Sequence, residues 1–457
     1  MQSNVQPRLR GHRYACALWL LVLGSVVGSA QETGPQSGDP RDVERIDGLL
    51  ARLRSTDPRA RQAAVGELGQ LGPRAGRAVP DLLEAFESAD EMTCLAAAGA
   101  LARLGESVLA HAQRLSALLR DGRRIIRRQS GMILLAVDPD GRTSIPALLG
   151  ALNDPSRDVR QDAADMVGRS GRLSEAWVSR IVEELHNPDP DVRAWLVRGL
   201  CALGANGIRA ATLGLKDSDP QVRMQAAYGL GDLGPGAADA VPALILALGD
   251  PETGQAVADT LARVGPPAGP GLIAALRHPD APVRARASFA LRYLAKEVPE
   301  VMTALEPMLK DPSPEVRHQA ARSLGWCGAG AVEHLEAALG DAHPSVRWGA
   351  AYGLSLIGPA ARQSLGAVLR LIADPDEFVQ ASAIWALPAM GAVPEDVLPS
   401  LRRASRDPSP TVRRAVLETL ERFGPSARDG LDLIENARRD PDENVRGAAE
   451  KARERVR

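Results

Sequence analysis

The side chains that could bind a metal or act as a general acid or base are scattered along this chain. A helical metal site needs two ligands about one turn apart, on the same face. No two histidines beyond the N-terminal segment stand at that spacing on one helix; the six are His111, His186, His278, His318, His334 and His343. The sequence also has no Gly-x-Ser-x-Gly elbow and no phosphate-binding P-loop. It therefore predicts no catalytic, metal or cofactor site, and a protein that is not an enzyme.

Two further patterns resemble chemical motifs. Cys94, Cys201 and Cys327 lie more than a hundred residues apart and form no Cys-x-x-Cys pair, so they are interpreted as packing residues. Residues 229–234 read GLGDLG, which matches the G-x-G-x-x-G fingerprint of dinucleotide sites. That fingerprint needs a strand before it and a helix after it. Here it falls at the end of a periodic helix, so no nucleotide site is predicted.

The first forty residues differ in composition from the rest. Three arginines precede an apolar run at residues 15–27, ACALWLLVLGSVV, and small residues follow at 28–30. This is the three-part pattern of a secretory signal peptide over residues 1–30, with an uncleaved anchor as the alternative. Residues 31–40 are polar and rich in Gly and Pro, which indicates a linker. The sequence thus predicts export to the periplasm or beyond the cell, without stable membrane insertion after cleavage.

From residue 41 onward one pattern recurs at intervals of 33 or close to 30 residues. A turn with Asp-Pro precedes Val-Arg, then Ala-Ala, then Gly-x-x-Gly, and we use the residue at the Arg position as the anchor of each copy. The anchors are Arg61, Cys94, Arg127, Arg160, Arg193, Arg223, Gly254, Arg284, Arg317, Arg347, Gln380, Arg413 and Arg446. Ten of the thirteen are Arg, which shows that the chain is a repeat array.

Each repeat is expected to form two helices. After the anchor, apolar residues recur every four positions, as in one face of a helix. Asp and Pro suit the start of a helix, and Gly suits its end. No segment alternates with period two, so no strands are predicted. The expected fold is all-α: an α-α superhelix, or α-solenoid, of about thirteen helical hairpins over residues 41–457.

A turn Asp followed five and six residues later by Val and Arg resembles the HEAT repeat, and the short Asp-Pro variant is similar to the bacterial HEAT-like repeats of phycobilin lyases. The resemblance covers nearly the whole chain after residue 40. It implies that the Val-Arg helices form an inner, concave layer. It also implies that the repeated Asp and Arg bind each other between adjacent turns and are not a ligand site. Cys94, Gly254 and Gln380 depart from the pattern, and near Asp250 we expect a local irregularity in stacking.

Aromatic residues make up only 3% of the chain, yet several share positions relative to the anchors. They stand one, five or nine residues after the anchor, so steps of four place them on one stripe, flanked by Arg292 and Arg322. The residues are Tyr228, Phe289, Tyr293, Trp326, Trp348, Tyr352 and Trp385. Position five also accepts Gly, Asp, Arg and Lys, which indicates that it faces solvent. Two interpretations remain: the rings fill the groove between helices, or they bind a partner.

The predicted function is a non-enzymatic scaffold that holds an extended or helical protein segment against the seven aromatic residues. One alternative is an enzyme or chromophore-handling protein, by analogy with the lyases that share the repeat. Another is nucleic-acid binding by the concave face, which a formal net charge of −2 disfavours. The identity of the partner and the oligomeric state stay open.

Overall fold

The computed structural model describes residues 40–88, 90–168, 170, 175–201 and 205–457. The predicted signal peptide at 1–30 lies outside the described residues, as does the linker as far as residue 39. The described chain divides into two compact units, with the boundary between Ala147 and Leu148. Within the described ranges every regular element is helical and no strand occurs.

The first unit contains six α-helices: α1 (Pro40–Leu53), α2 (Pro58–Leu71), α3 (Val79–Phe86), α4 (Glu91–Leu104), α5 (Ala112–Leu118) and α6 (Arg124–Val137). Helix α7 (Ser144–Ala151) crosses the boundary. The second unit continues with α8 (Arg157–Gly168), α9 (Glu175–Glu183), α10 (Pro190–Leu200), α11 (Ala205–Gly214), α12 (Pro220–Asp232), α13 (Val241–Ala247), α14 (Gly254–Val264), α15 (Gly269–Ala275), α16 (Ala281–Leu291), α17 (Glu300–Leu305), α18 (Pro314–Leu324), α19 (Val332–Ala338), α20 (Pro344–Ile357), α21 (Leu365–Arg370), α22 (Glu377–Ala389), α23 (Pro394–Ala404), α24 (Pro410–Phe423), α25 (Leu431–Ala437) and α26 (Glu443–Val456).

Short 3-10 helices join many of these elements. They span Gly72–Ala78, Gly105–His111, Glu184–His186, Gly234–Ala240, Pro266–Ala268, Arg292–Leu294, Glu306–Lys310, Ala329–Ala331, Gly358–Ser364, Leu371–Ala373 and Gly424–Gly430. Every even-numbered α-helix carries one anchor residue, and the odd-numbered helix before it completes the hairpin. The described helices therefore pair as thirteen hairpins, and the predicted α-solenoid class is confirmed.

Several even-numbered helices start at a side-chain cap, but the capping residue lies two positions after the Asp that the repeat suggests. In α12 the cap is Asp219, two residues after the repeat's Asp217: it accepts from the backbone N–H of Gln221, and Pro220 is the first helical residue. In α18 the repeat's Asp311 lies two residues before the cap position at Ser313. The turn before the helix is therefore longer than predicted, and its carbonyl groups stay free to accept other donors.

Glycine ends several of the even-numbered helices. Gly265 and Gly358 both adopt a φ of 78°, in the left-handed region, and each is followed by Pro. At both positions the glycine N–H binds the carbonyl four residues earlier, which closes the last turn. The periodic Gly-Pro pairs thus act as predicted helix stops.

Within each unit, neighbouring even-numbered helices pack side by side, and small residues set their distance. A Cβ atom built on Gly168 in α8 would lie 2.5 Å from the Cα of Gly199 in α10, which is closer than atoms can pack. Helix α14, in the shortened repeat, still packs against both α12 and α16. The expected irregularity near Asp250 therefore does not separate these helices.

One stretch in the first unit, Glu91–Leu118, is long and apolar enough to cross a membrane by length and composition. It comprises α4, a 3-10 turn and α5, and these pack with α6 in the core of the first unit. Its apolar residues are therefore accounted for by helix packing.

Candidate protein-binding surface

The anchor arginines tie each turn to the next. Arg317 donates four hydrogen bonds: two from Nη1 to the carbonyls of Asp311 and Pro312, and two from Nε and Nη2 to the carboxylate of Asp341. The first pair closes the turn before its own helix, and the second pair joins that turn to the next. A planar guanidinium matches this geometry because its donors lie in a fixed fork.

All ten anchor arginines bind the two turn carbonyls, and the ion pairs described in the structure join eight of them to an acid of the next turn. We call this set the arginine ladder. The residues that bind the carbonyls are Arg61, Arg127, Arg160, Arg193, Arg223, Arg284, Arg317, Arg347, Arg413 and Arg446. The acids are Asp90, Asp189, Asp217, Asp250, Asp311, Asp341, Asp374 and Asp440.

Two repeats that lack the anchor arginine receive one from the following repeat. Arg286 of α16 donates from Nη1 to the carbonyls of Leu248 and Asp250, before α14. The anchor position there is Gly254, where an added Cβ would lie 2.3 Å from Arg286 Nη1. In the first unit Arg123 donates to the carbonyls of Glu87 and Ser88, before the helix that carries Cys94. The turn carbonyls thus keep a guanidinium even where the sequence pattern is lost.

In the eight ion pairs of the ladder, the Asp and Arg charges neutralise each other. Burial opposes ionisation of Asp341, but the hydrogen bonds from Arg317 and the His343 N–H outweigh it, so the pKa of Asp341 lies below its usual value. Its hydrogen bond to Asp341 raises the pKa of Arg317. These donors and acceptors are engaged within the fold, which agrees with the structural role that the resemblance implied.

A second group of arginines lies among the aromatic rings of α16 and α18. The Phe289 and Tyr293 rings meet edge to face at 5.9 Å, and Tyr293 lies 6.4 Å from Trp326. The Arg292 guanidinium stacks 3.9 Å from the Phe289 ring centre and 4.5 Å from that of Tyr293. Tyr293 and Trp326 remain 48% and 42% exposed.

Helices α18 and α20 carry the other half of this group. His318 stacks on Trp348 at 5.4 Å, and Trp348 stacks on Tyr352 at 5.5 Å with the rings parallel to within 1°. The guanidinium of Arg322 lies 5.4 Å from the ring centres of both Trp348 and Tyr352. Burial lowers the pKa of His318 and thus favours the neutral ring.

The two halves meet at their arginines. Burial, followed by the positive charge of Arg292, lowers the pKa of Arg322, and Tyr293 also acts on this group. We call the joined group the aromatic cluster; its members are Phe289, Arg292, Tyr293, His318, Arg322, Trp326, Trp348 and Tyr352. A groove of about 340 Å³ adjoins it at Phe289, between α14, α16 and α18.

Two of the seven residues in the predicted strip lie apart from the cluster. Tyr228 is on α12, and between it and Phe289 the same position on α14 holds Asp259. The Trp385 indole N–H donates to Glu418 at 2.8 Å, so this ring is held by α24. In both cases the sequence shows an acid at position five of a neighbouring repeat: Asp259 next to Tyr228 and Glu418 next to Trp385. Sequence reasoning also missed Phe378 on α22, which is 60% exposed.

The residues five positions after the anchors are less exposed than we expected from the charged residues that occur there in other repeats. Tyr228, Phe289, Tyr352 and Trp385 are half-buried, and the exposed rings are the two at position nine, just beyond their helices. Neighbouring helices cover much of position five because they pack closely. The cluster therefore combines packed rings with an exposed rim.

The candidate metal ligands, the cysteines and the GLGDLG segment form no chemical site among the described residues. There, no group of three or more His, Cys, Asp or Glu residues could hold a metal ion. Cys94 and Cys201 are buried as predicted, and burial raises the pKa of Cys201 to about 12; Cys327 is half-buried. The GLGDLG segment spans the end of α12, where Gly234 starts a 3-10 helix and no strand is present.

Comparison with known families agrees with the observed repeats. A family model described as HEAT repeats matches residues 46–136, 178–262, 208–292, 269–355, 298–388, 332–403 and 364–453. Among curated proteins, none matches the sequence significantly.

Solved structures share the fold at low sequence identity. Kap121p aligns with a TM-score of 0.57 and 14% identity, over 96% of this chain and 56% of Kap121p. Two further structures are Kap121p bound to the extreme C-terminus of the protein phosphatase Cdc14p (TM-score 0.57, 15% identity) and Kap121p bound to Pho4p (0.56, 15%). They cover 99% and 96% of this chain, which itself spans just over half of Kap121p.

The comparison also corrects the predicted location. The solved structures whose fold this chain shares are of the karyopherin Kap121p, and they contradict the predicted export. The prediction of export to the periplasm or the extracellular space is therefore wrong. That prediction depended only on the composition of residues 1–30. An apolar run beside arginines indicates a hydrophobic segment, and hydrophobicity does not by itself define a compartment.

Proposed function

This chain belongs to the HEAT-repeat family, and on that premise we propose that it is a non-enzymatic scaffold that binds a segment of a protein partner on the aromatic cluster. The proposed contact residues are Phe289, Tyr293, Trp326, Trp348 and Tyr352. Tyr228 and Trp385, which lie apart, are proposed to contribute little.

The observation that carries this proposal is the concentration of rings in one place. Aromatics are 3% of the sequence, yet five of them meet on α16, α18 and α20 and just beyond. Tyr293 and Trp326 keep nearly half of their surface in water. Exposed rings with stacked arginines are the side chains that dominate protein-binding hot spots.

The relatives of known structure support the same class of function. Kap121p has been solved bound to the extreme C-terminus of Cdc14p and to Pho4p, so a solenoid of this fold holds protein segments in those complexes. For the present chain, the proposal extends that behaviour to a surface that its own residues define. Tight binding on such a surface requires only a few central anchors.

A comparative pulldown from cell extract tests the proposal. The bait proteins are the wild type, a Tyr293→Ala/Trp326→Ala variant and a Phe378→Ala control, and bound proteins are quantified by mass spectrometry. We expect a partner that the wild type and the Phe378→Ala control retain and the double variant loses. The control removes an exposed ring from the same helix layer, outside the cluster.

Circular dichroism must first show that all three baits are equally helical. A partner retained equally by all three baits would contradict the proposal and place the binding surface elsewhere. Retention of nucleic acid in place of protein, removed by nuclease treatment, would favour the alternative of nucleic-acid binding.

A further inference from the structure

Arg292 and Arg322 lie at the centre of the aromatic cluster with donors that the fold leaves open. Their guanidinium groups are near enough for the charge of Arg292 to act on Arg322. The Nε atom of each is buried and has no hydrogen-bond partner. Within the part of the chain that the structure describes, neither arginine forms an ion pair. Two neighbouring cations without a carboxylate form an incomplete electrostatic arrangement.

The hydrogen-bonding and stacking contacts of these two arginines are with neutral groups. Arg292 donates from Nη2 to the Tyr293 hydroxyl at 2.5 Å, and the Arg322 guanidinium lies 5.4 Å from the centre of the Tyr352 ring. Stacking on the rings holds each guanidinium in place through its face, which leaves the N–H donors along its edge available. The rings therefore position the arginines without neutralising them.

Another pair of arginines on the same face of the solenoid is neutralised by a shared carboxylate. Arg198 on α10 stands at position five of its repeat, as Arg322 does, and its Nη2 binds Asp232 at 3.0 Å. Arg263 on α14 lies 3.5 Å from the same carboxylate. The chain thus places an acid between these two arginines and places none between Arg292 and Arg322. Burial raises the pKa of Asp259 on α14, although the charge of Arg292 acts on that carboxyl in the opposite direction.

We propose that the partner segment carries an Asp, a Glu or a terminal carboxylate that sits between Arg292 and Arg322, next to apolar or aromatic residues that pack on Tyr293 and Trp326. A carboxylate fits because it accepts two parallel bonds from the guanidinium fork. A bound segment that covers the adjoining rings would exclude water there, which strengthens each charged hydrogen bond. The inference rests on the proposed function and specifies the chemistry of its ligand.

Selection from a random-sequence peptide library tests this chemistry without a known partner. The wild type is panned beside Arg292→Gln/Arg322→Gln and beside the control Arg198→Gln/Arg263→Gln. The control removes two arginines from the same face, where they are already paired. We expect the wild type and the control to enrich peptides with Asp or Glu beside apolar or aromatic residues. The Arg292→Gln/Arg322→Gln variant should lose that enrichment.

One enriched peptide and its counterpart with Gln in place of the acid are then compared by fluorescence anisotropy. We expect the neutral peptide to bind at least about tenfold more weakly to the wild type, and the difference to disappear in the Arg292→Gln/Arg322→Gln variant. If that variant fails to fold, the single Arg292→Gln variant replaces it, since that side chain gives up one hydrogen bond to Tyr293 and its stacking on Phe289 and Tyr293, with no ion pair lost.

The outcomes separate the two proposals. Peptides that depend on Tyr293 and Trp326 but show no acidic preference would overturn the carboxylate inference alone. Enrichment that persists unchanged in the arginine variant would do the same. If the wild type and the Tyr293→Ala/Trp326→Ala variant select the same peptides, or none, the proposed function fails as well. Binding of a single-stranded oligonucleotide that depends on Arg292 and Arg322 and displaces the peptide would identify nucleic acid as the ligand instead.

Discussion

Helix α18 contributes to both the arginine ladder and the aromatic cluster, and its two arginines behave in opposite ways. Arg317 donates hydrogen bonds to two carbonyls and one carboxylate, and its pKa is raised. Arg322, five residues later, is half-buried beside a second arginine and two rings, and its pKa is lowered. An arginine whose donors are all engaged stabilises the fold, whereas one with open donors is available to a ligand.

The ladder should respond most strongly to substitution. Arg317→Ala removes four hydrogen bonds and leaves the carboxylate of Asp341, which is only 14% exposed, without its cation. We expect a loss of about 3 kcal/mol in local stability. Repeat arrays open locally, so hydrogen exchange of the amides in α18 to α20 is the suitable measurement. The exposed Arg198→Ala control should change local stability by less than about 0.5 kcal/mol.

Acid provides an independent check on that result. Because the folded pKa of Asp341 is lowered, its contribution is present above its unfolded pKa of about 3.9 and is lost as pH falls through the folded value. The difference between wild type and Arg317→Ala should therefore shrink below about pH 4. A difference that stays constant with pH would mean that the ion pair does not cause the loss.

The contact of Arg286 with the turn before α14 should contribute almost as much local stability as Arg317 does in its own repeat. Gly254→Ala places a methyl group where the Arg286 guanidinium lies, so we expect a loss of about 2 kcal/mol around the start of α14. Arg286→Ala should expose the same amides to exchange, since it frees the same carbonyls. The double variant should lose less than the sum of the two single losses, measured as a double-mutant cycle. Full additivity would show that the two residues act separately.

An acid placed inside the aromatic cluster should neutralise its arginines, as the Asp residues do in the arginine ladder. Tyr293→Glu puts a carboxylate beside Arg292 and Arg322, at a position that is 48% exposed. We expect peptide binding to weaken about tenfold, or roughly 1.4 kcal/mol, while thermal stability changes little. Tyr293→Gln is the matched control and should retain more of the binding. Equal loss in both variants would show that the ring, and not the charge, determines affinity.

The smallest effect concerns His318. Its pKa is lowered by burial, so the folded state favours the neutral ring, and the unfolded chain takes up the proton first. Stability is therefore full above about pH 6.5 and declines as pH falls through the folded value. Tryptophan fluorescence of the cluster between neutral and mildly acidic pH should change, and a His318→Gln variant should remove that dependence. The same titration in both proteins would assign the change to another group.

The repeat unit itself could be derived from the sequence. The period of the anchors, the Gly-Pro stops and the spacing of apolar residues gave thirteen hairpins, because capping and helix periodicity act over a few residues. Helix starts were less accurate. Asp311 precedes its cap by two residues, since the turn must keep two carbonyls free for Arg317.

By itself the sequence determined the helices and their order, because these follow from local chemistry repeated in every unit. The pairing of Asp with Arg between turns was implied only by the resemblance to the HEAT repeat. The sequence also placed the seven aromatic residues in related positions. Only the tertiary structure decided which of them meet: Trp348 contacts His318 across two helices, while Trp385 is held by Glu418. It likewise decided that Arg198 is neutralised and Arg322 is not. The reason is physical: the charge left on a side chain depends on neighbours about thirty residues away, which only the packing of adjacent helices brings within bonding distance.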